Sequence, residues 1–248
     1  MDDCLSEPVE FVTARLGFVP DPKQEVLLRG RMRRGLLNCS RQWGKSTITA
    51  AMAVHRAYTR PESLVVVLSP SARQSAEFLR KAGGFARKLG LRERGDGDNE
   101  ISLQFPSGSR IVGLPGKEET VRGFSAVSLL LIDEAARVSD DLYNAVSPML
   151  AVGDGDLWLM STPCGQRGFF YEEWAHGGDR WERLSVPASE CSRISAKFLE
   201  EQRKSMGDRR FRQEFCCEFM DTEGSVFDSE LIRKAINYDV KPLELDEY

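Results

Sequence analysis

The chain has 248 residues, 41% of them hydrophobic and 29% charged, with a formal net charge of −4. That length and balance suit one globular α/β domain with a small appendage. The acidic total argues against a dedicated nucleic-acid coat protein, so any DNA contact must come from a local basic patch or from several subunits converging.

No apolar run approaches the ~18 residues of a membrane helix, and the acidic start Met1-Asp2-Asp3-Cys4 lacks the order of a secretion signal. The two histidines, His55 and His176, are too few for a multi-histidine metal centre and read as structural or surface residues. Cys4, Cys39, Cys164, Cys191, Cys216 and Cys217 form no CxxC pair, which reads as reduced thiols rather than a disulfide framework or a zinc site.

In chain order, residues 8–34 read as a helical lead-in, with Val9, Val12 and Leu16 at helical spacing. Gln24 follows Pro20-Asp21-Pro22. Its amide offers a donor and an acceptor, which suits an adenine edge, while an exposed residue at a helix start is the plainer alternative. Arg29, Arg31, Arg33 and Arg34 form a first basic run. The apolar stretch Gly35–Cys39 then leads into Ser40-Arg41-Gln42-Trp43-Gly44-Lys45-Ser46-Thr47. With Cys39 in the first glycine's place, this is a G-x-x-x-x-G-K-[ST] phosphate loop. Such a loop, opening a helix, turns backbone N–H groups and the helix dipole toward an anion. Gly44 lets the backbone approach, Lys45 reaches the β- and γ-phosphates, and Ser46 ligates Mg²⁺; Thr47 is a weaker hydroxyl candidate.

A helix is expected from Gly44 to Tyr58, then a strand at Ser63–Leu68 with no polar alternation, as in strands buried on both faces. Ser69-Pro70-Ser71-Ala72-Arg73-Gln74 resembles a helicase-type strand-to-helix junction, and Ala72–Leu89 reads as an amphipathic helix. Ile101–Phe105 and Arg110–Leu114 flank Pro106-Ser107-Gly108-Ser109 as a hairpin. Val127–Ile132 is a second fully apolar strand, and it delivers Asp133 to the carboxyl edge of the sheet, where open α/β sheets bind ligands. Asp133 suits the Mg²⁺ shell; Glu134 suits orienting or deprotonating an attacking water. Arg41, with its fixed fork, either braces phosphate or binds Glu134. Asp140–Leu150 reads as helical around Pro148. Leu157–Met160 is a strand ending at Ser161-Thr162-Pro163, whose hydroxyls either sense a γ-phosphate through water or cap the strand. Ser195–Phe219 is helical and charged and carries a second basic run, Arg203, Lys204, Arg209, Arg210 and Arg212. Residues 221–225 read as a linker. Strands alternating with helices, several of them apolar on both faces, predict a mainly parallel sheet covered on both sides.

Taken in order, these motifs resemble the ATPase half of the large subunit of tailed-phage terminases. Ser40 to Ser46, with its Arg-Gln, looks like the family's phosphate loop, where a non-glycine first position also occurs. Leu131-Ile132-Asp133-Glu134-Ala135-Ala136 looks like its acidic motif. Ser161-Thr162-Pro163-Cys164-Gly165, followed by Gly168-Phe169-Phe170-Tyr171, looks like its coupling motif and the turn beyond. Phe211-Arg212-Gln213-Glu214-Phe215 and Glu218-Phe219 resemble the segment leading into its nuclease domain. The match spans about residues 20–228.

The resemblance implies a RecA-like/ASCE P-loop NTPase with a small helical C-terminal linker subdomain: an ATPase core over 1–190, the linker over 191–228 and a tail over 229–248. It implies ATP and Mg²⁺ as ligands and ATP hydrolysis that drives double-stranded DNA into a prohead. The partners it implies are the portal protein, the small terminase subunit and further copies of the chain in a ring. A monomer in isolation, no membrane, and the bacterial host cytoplasm at the prohead complete that expectation. By the same resemblance Gln24 reads adenine, Ser161 and Thr162 couple hydrolysis to movement, and Arg122 reaches the neighbouring subunit's nucleotide as an arginine finger. For Arg122 the plainer alternative is a surface-loop arginine. Family members usually continue into a ribonuclease-H-like nuclease. Asp239, Glu244, Asp246 and Glu247 lie on no recognisable strand, so no nuclease activity is expected, and the chain reads as either a truncated protein or an isolated motor domain. Two other readings stand beside this one. A helicase or remodelling ATPase usually has two motor domains, where this chain has room for one. A nucleotide-binding docking module would not need Lys45, Asp133 and Glu134 together.

Overall fold

The computed structural model describes residues 7–30, 32–116, 121, 123–221 and 235. The lead-in is two helices, α1 (Pro8–Ala14) and α2 (Pro22–Arg29), rather than one continuous span. Gly17 adopts φ +55° between them, and the chain restarts at Asp21, whose carboxylate accepts from the Gln24 N–H while the Gln24 side chain accepts from the Asp21 N–H. This reciprocal capping box satisfies two helix-end donors at once.

Strand β1 (Arg34–Cys39) is followed by α3 (Lys45–Thr59), β2 (Leu64–Ser69), α4 (Ala72–Lys88), β3 (Ser102–Gln104), β4 (Arg110–Pro115) and β5 (Val127–Asp133). Then come α5 (Asp140–Val146), β6 (Asp156–Ser161), α6 (Gly168–His176), β7 (Glu182–Val186), α7 (Ala196–Met206) and α8 (Asp208–Cys216). The seven strands form one sheet in the order β3-β4-β2-β5-β6-β1-β7. Every pairing is parallel except that of β3 with β4. The expected α/β P-loop NTPase architecture is thus present, with β6 standing between the phosphate-loop strand and the acidic strand.

Side-chain parity explains why the strands read as unbroken apolar runs. Leu37, Val65, Val67, Leu129, Leu131, Trp158 and Met160 face a core shared with α1 to α4. Leu36, Val66, Leu68, Leu130, Ile132, Leu157 and Leu159 face a second core shared with α5 and α6. Successive residues of a strand point to opposite faces, so a sheet with helices on both sides needs apolar residues at every position.

Two elements lay outside the sequence reading. Strand β7 pairs only with β1, at the sheet edge, and its residues alternate between exposed Glu182, Arg183 and Ser185 and buried Leu184 and Val186. An edge strand carries charge and lacks the continuous apolar signature. The turn expected after Cys164 is α6, whose Phe169 and Phe170 are buried in the second core.

Core burial sets the first expected outcome. Leu130→Ala removes a side chain with no exposed surface and should cost about 2–5 kcal/mol of stability. Val152→Ala, at a residue 79% exposed, should stay within about 0.5 kcal/mol. Urea unfolding midpoints of the two variants check the contrast.

Candidate functional site

The phosphate loop begins where β1 ends. Gln42 and Gly44 are left-handed, with φ +66° and +97°, and flank Trp43, which is not. Alternation of this kind makes a concave nest of backbone N–H groups. Gly44 caps α3 without any side-chain cap bond, so the first N–H groups of a 15-residue helix are left for an anion.

The acidic pair meets this loop across the sheet edge. Asp133 is buried, and both its oxygens are engaged: Oδ2 accepts from Ser46 Oγ at 3.0 Å and Oδ1 from the Glu134 N–H at 3.0 Å. Burial pushes the Asp133 carboxyl above its usual range, against the pull of Lys45. Lys45 Nζ lies 2.9 Å from Glu134 Oε1. Burial by itself would lower the Lys45 ammonium, but Glu134 and Asp133 together hold it raised. Glu134 is in the left-handed region, φ 53° and ψ 41°, which is uncommon for a non-glycine residue and clusters at functional sites.

Among the described residues no group of three or more His, Cys, Asp or Glu could hold a metal ion. Ser46 and Asp133 nevertheless fit Mg²⁺, which takes one or two protein ligands and completes its shell with phosphate oxygens and waters.

The other expected site residues fall out as follows. Thr47 donates its N–H to the Gly44 carbonyl within the first turn of α3. Ser40 is buried, and its Oγ has no hydrogen-bond partner. The Trp43 ring is fully buried in the first core, so only the backbone of Trp43 belongs to the loop surface. Gln24 is fully buried, and its Nε2 donates to the Trp43 carbonyl at 3.3 Å. The amide therefore fastens α2 to the phosphate loop, where an exposed helix-start residue was the plainer expectation. Ser161 and Thr162 are buried at the end of β6, and Ser161 Oγ donates to the Thr162 carbonyl at 2.7 Å, a local bond of the strand-capping kind. Arg122 and Arg31 lie outside the described residues, as do Asp239, Glu244, Asp246 and Glu247.

Of the two roles expected of Arg41, bracing phosphate or binding Glu134, the pairing with Glu134 is not made. Arg41 binds Glu214 of α8 through its side chain, and its N–H donates to the Glu214 carbonyl at 3.2 Å. Glu214 is nearly buried, and a buried carboxylate demands a cation. Glu134 takes Lys45 and Arg137 instead. The sequence reading gave no role to Arg137, Arg193 or Glu214. Arg193 donates to the Trp43 carbonyl and pairs with Asp21. Glu214 lay inside a quoted motif, and Arg137 lies three residues past Glu134, so those two had a signal in the sequence.

The basic runs are mostly spent inside the chain. Arg29 pairs with Glu7 and Glu25, and Arg33 with Asp154 and Asp156. Arg203 pairs with Asp208, Lys204 with Glu200 and Arg212 with Glu218. Arg34 and Arg209 donate to the carbonyls of Gly155 and Asp221. Arg210 lines a cleft of about 820 Å³ that runs from Cys164 and Arg167 past Gln213 to Glu214. His55 packs edge-on against Phe11, a structural position as expected.

A family model described as terminase large subunit, T4likevirus-type, N-terminal, matches residues 36–234. The chain is 25% identical to the terminase large subunit of Thermus virus P23-45, over 86% of this chain and 51% of that protein. It is 24% identical to that of Escherichia phage T5, over 90% of this chain and 53% of that protein. The chain thus spans about half the length of the curated relatives it matches. The Thermus phage P74-26 large terminase ATPase domain superposes with a TM-score of 0.76 at 22% identity, covering 86% of this chain and 99% of that one. The HK97 bacteriophage large terminase superposes with a TM-score of 0.70 at 14% identity, over 87% and 55%. At these identities the structures establish the shared fold.

Thiol reactivity follows from burial. The five described cysteines are free. Burial pushes Cys39 well above the usual thiol range and Cys217 up to about 12, and Cys164 is only half-buried. Because the thiolate is the reactive form, iodoacetamide at pH 8 should label Cys164 in the native protein and reach Cys39 and Cys217 only after denaturation. Peptide mass spectrometry of the two samples reads the difference.

Proposed function

The chain belongs to the T4likevirus-type terminase large subunit family, and on that premise we propose that it is an ATP-hydrolysing motor domain that moves double-stranded DNA into a viral prohead. The observation that carries this reading is the convergence at one sheet edge of Lys45 on Glu134 and Ser46 on Asp133. A docking module would need the phosphate loop but not a carboxylate beyond the metal-holding one. A related large terminase from a thermophilic bacteriophage has been solved with ADP and another crystal of it with ATP-γ-S, which supports nucleotide as the ligand of this edge.

In this reading the α3 N-terminus and Lys45 take the charge of the β- and γ-phosphates. Ser46 and Asp133 would hold Mg²⁺, which when bound supplies charge neutralisation and polarises phosphate oxygens. A phosphate arriving at the loop competes with Glu134 for Lys45, and the carboxylate so released orients the attacking water and accepts its proton. Gln24 tethers α2 to the loop, and reading an adenine edge would draw its amide from the Trp43 carbonyl. Arg122 acts from one subunit on its neighbour's nucleotide; Gly123 beside it has φ +114°, a conformation that glycine adopts without steric cost. Double-stranded DNA, the portal protein, the small terminase subunit and a ring of copies are the partners. The host cytoplasm, at the prohead, is the place. No described helix is long and apolar enough to cross a membrane.

Phosphate release with and without duplex DNA tests the reading, and a strand-separation assay separates translocase from helicase. Lys45→Ala should lose nucleotide binding and hydrolysis together. Glu134→Gln should bind ATP with affinity within about threefold of the parent and lose at least about a hundredfold in turnover, the range of a general base. Parental turnover in Glu134→Gln would remove Glu134 from the chemistry. In an assembled ring, Arg122→Ala and Glu134→Ala subunits, each inactive alone, should regain part of the activity when mixed. Some interfaces then pair an intact Glu134 with a neighbour's intact Arg122. No recovery in verified mixed rings would place the arginine's action within its own subunit or nowhere.

A further inference from the structure

Glu134 divides its carboxylate between two cations. Oε1 takes Lys45 Nζ at 2.9 Å, and Oε2 takes Arg137 Nη1 at 2.9 Å. The two are not equivalent. Lys45 opens α3, where an arriving phosphate competes for it. Arg137 ends the short 3-10 turn Ala135–Arg137 that starts directly after Glu134, away from the phosphate loop in sequence. Its Nη2 lies 3.8 Å from Glu214 Oε1, and Glu214 is itself paired with Arg41. Lys45, Glu134, Arg137, Glu214 and Arg41 therefore form a chain of alternating charge from the phosphate loop through the acidic turn to α8 and back to the loop.

We propose that Arg137 is a positioning residue for the hydrolytic carboxylate, holding Glu134 aimed when phosphate draws Lys45 away; this rests on the ATPase reading. Without Arg137, Lys45 would be the sole ion partner of Glu134 among the described residues. Phosphate would then have to pull Lys45 from a carboxylate left with no other ion pair among the described residues, and that carboxylate is only 22% exposed. A half-buried, unpaired carboxylate is costly, so the Lys45–Glu134 pair would hold on against ATP. With Arg137 present the pair can open. The guanidinium fork also fixes direction better than an ammonium. The backbone agrees with this role. The Arg137 N–H donates to the Glu134 carbonyl at 2.8 Å, so the same short turn restrains both the left-handed backbone of Glu134 and its side chain. Glu214 limits where the guanidinium can go.

The role makes two effects depend on one carboxylate, which separates it from a merely structural one. In the full chain, Arg137→Gln should slow single-turnover hydrolysis at least about tenfold and weaken binding of a fluorescent ATP analogue about three- to tenfold, the range of a coupled neighbour pair. Arg137→Lys, which returns a cation without the fork, should recover the rate only in part. In a Glu134→Gln background, Arg137→Gln should leave the analogue's affinity within about twofold, because the carboxylate it serves is gone. Thermal unfolding of each variant confirms folding; should Arg137→Gln fail to fold, Arg137→Met, which keeps the aliphatic stem, replaces it. Hydrolysis at the parental rate in the neutral variant, or equal weakening of affinity in both backgrounds, overturns the proposal. A parental protein that turns over no ATP sinks the ATPase reading itself, an outcome visible before any Arg137 variant is compared.

Discussion

The site depends on three ionisable groups gathered at the sheet edge, the buried Asp133 and the half-buried Lys45 and Glu134. One lysine between two carboxylates can stay charged under burial only because each partner compensates the other's lost water. That compensation needs β1 and β5 to end at the same level with one strand between them. The register supplies it: Asn38 of β1 lies opposite Ser161 of β6, and Asp133 of β5 lies opposite Met160 of the same strand. The parallel sheet is in this sense the device that holds Ser46 and Asp133 at 3.0 Å. Removing one member of such a group leaves an unpaired buried charge and costs more than the net worth of the pair.

A second layer of contacts joins this edge to the C-terminal helices. Gln213 accepts from the Gly165 N–H at 3.1 Å, just beyond the end of β6, while its neighbour Glu214 holds Arg41 in the phosphate loop. Asn38 of β1 donates to the Cys217 carbonyl at 2.8 Å. Past α8, Phe219 seats among Phe170, Tyr171 and Trp174 of α6. One short stretch, residues 213–219, thus reads the phosphate loop, the sheet and the loop after β6 at once. The cleft of about 820 Å³ beside it, with Arg167 and Arg210 on its wall, gives it a solvent-facing side.

The sequence by itself determined the apolar strands of the sheet and the residues of the candidate site. A doubly covered parallel strand must be apolar at every position, so Leu64 to Leu68 and Leu129 to Ile132 announce themselves in any one chain. A phosphate loop needs glycine, lysine and a hydroxyl at fixed local spacing, so Gly44, Lys45 and Ser46 do too. Asp133 and Glu134 follow because the end of a buried strand is where the chain can first carry charge. Strand β7 was not legible, because an edge strand alternates polar and apolar residues and borrows its stability from β1. Only the tertiary structure decided which charges meet. Arg41 and Glu214 are 173 positions apart, and so nothing local marks them as partners; the same holds for Arg193 and Asp21, 172 apart. The Trp43 ring could have faced a ligand or the core, and the packing of α1 to α4 put it in the core. Local spacing dictates residue type, because chemistry acts over a few ångströms along one turn. Pairing between distant residues is set by where folding brings each buried charge in need of a counter-ion, and that is a property of the packed whole.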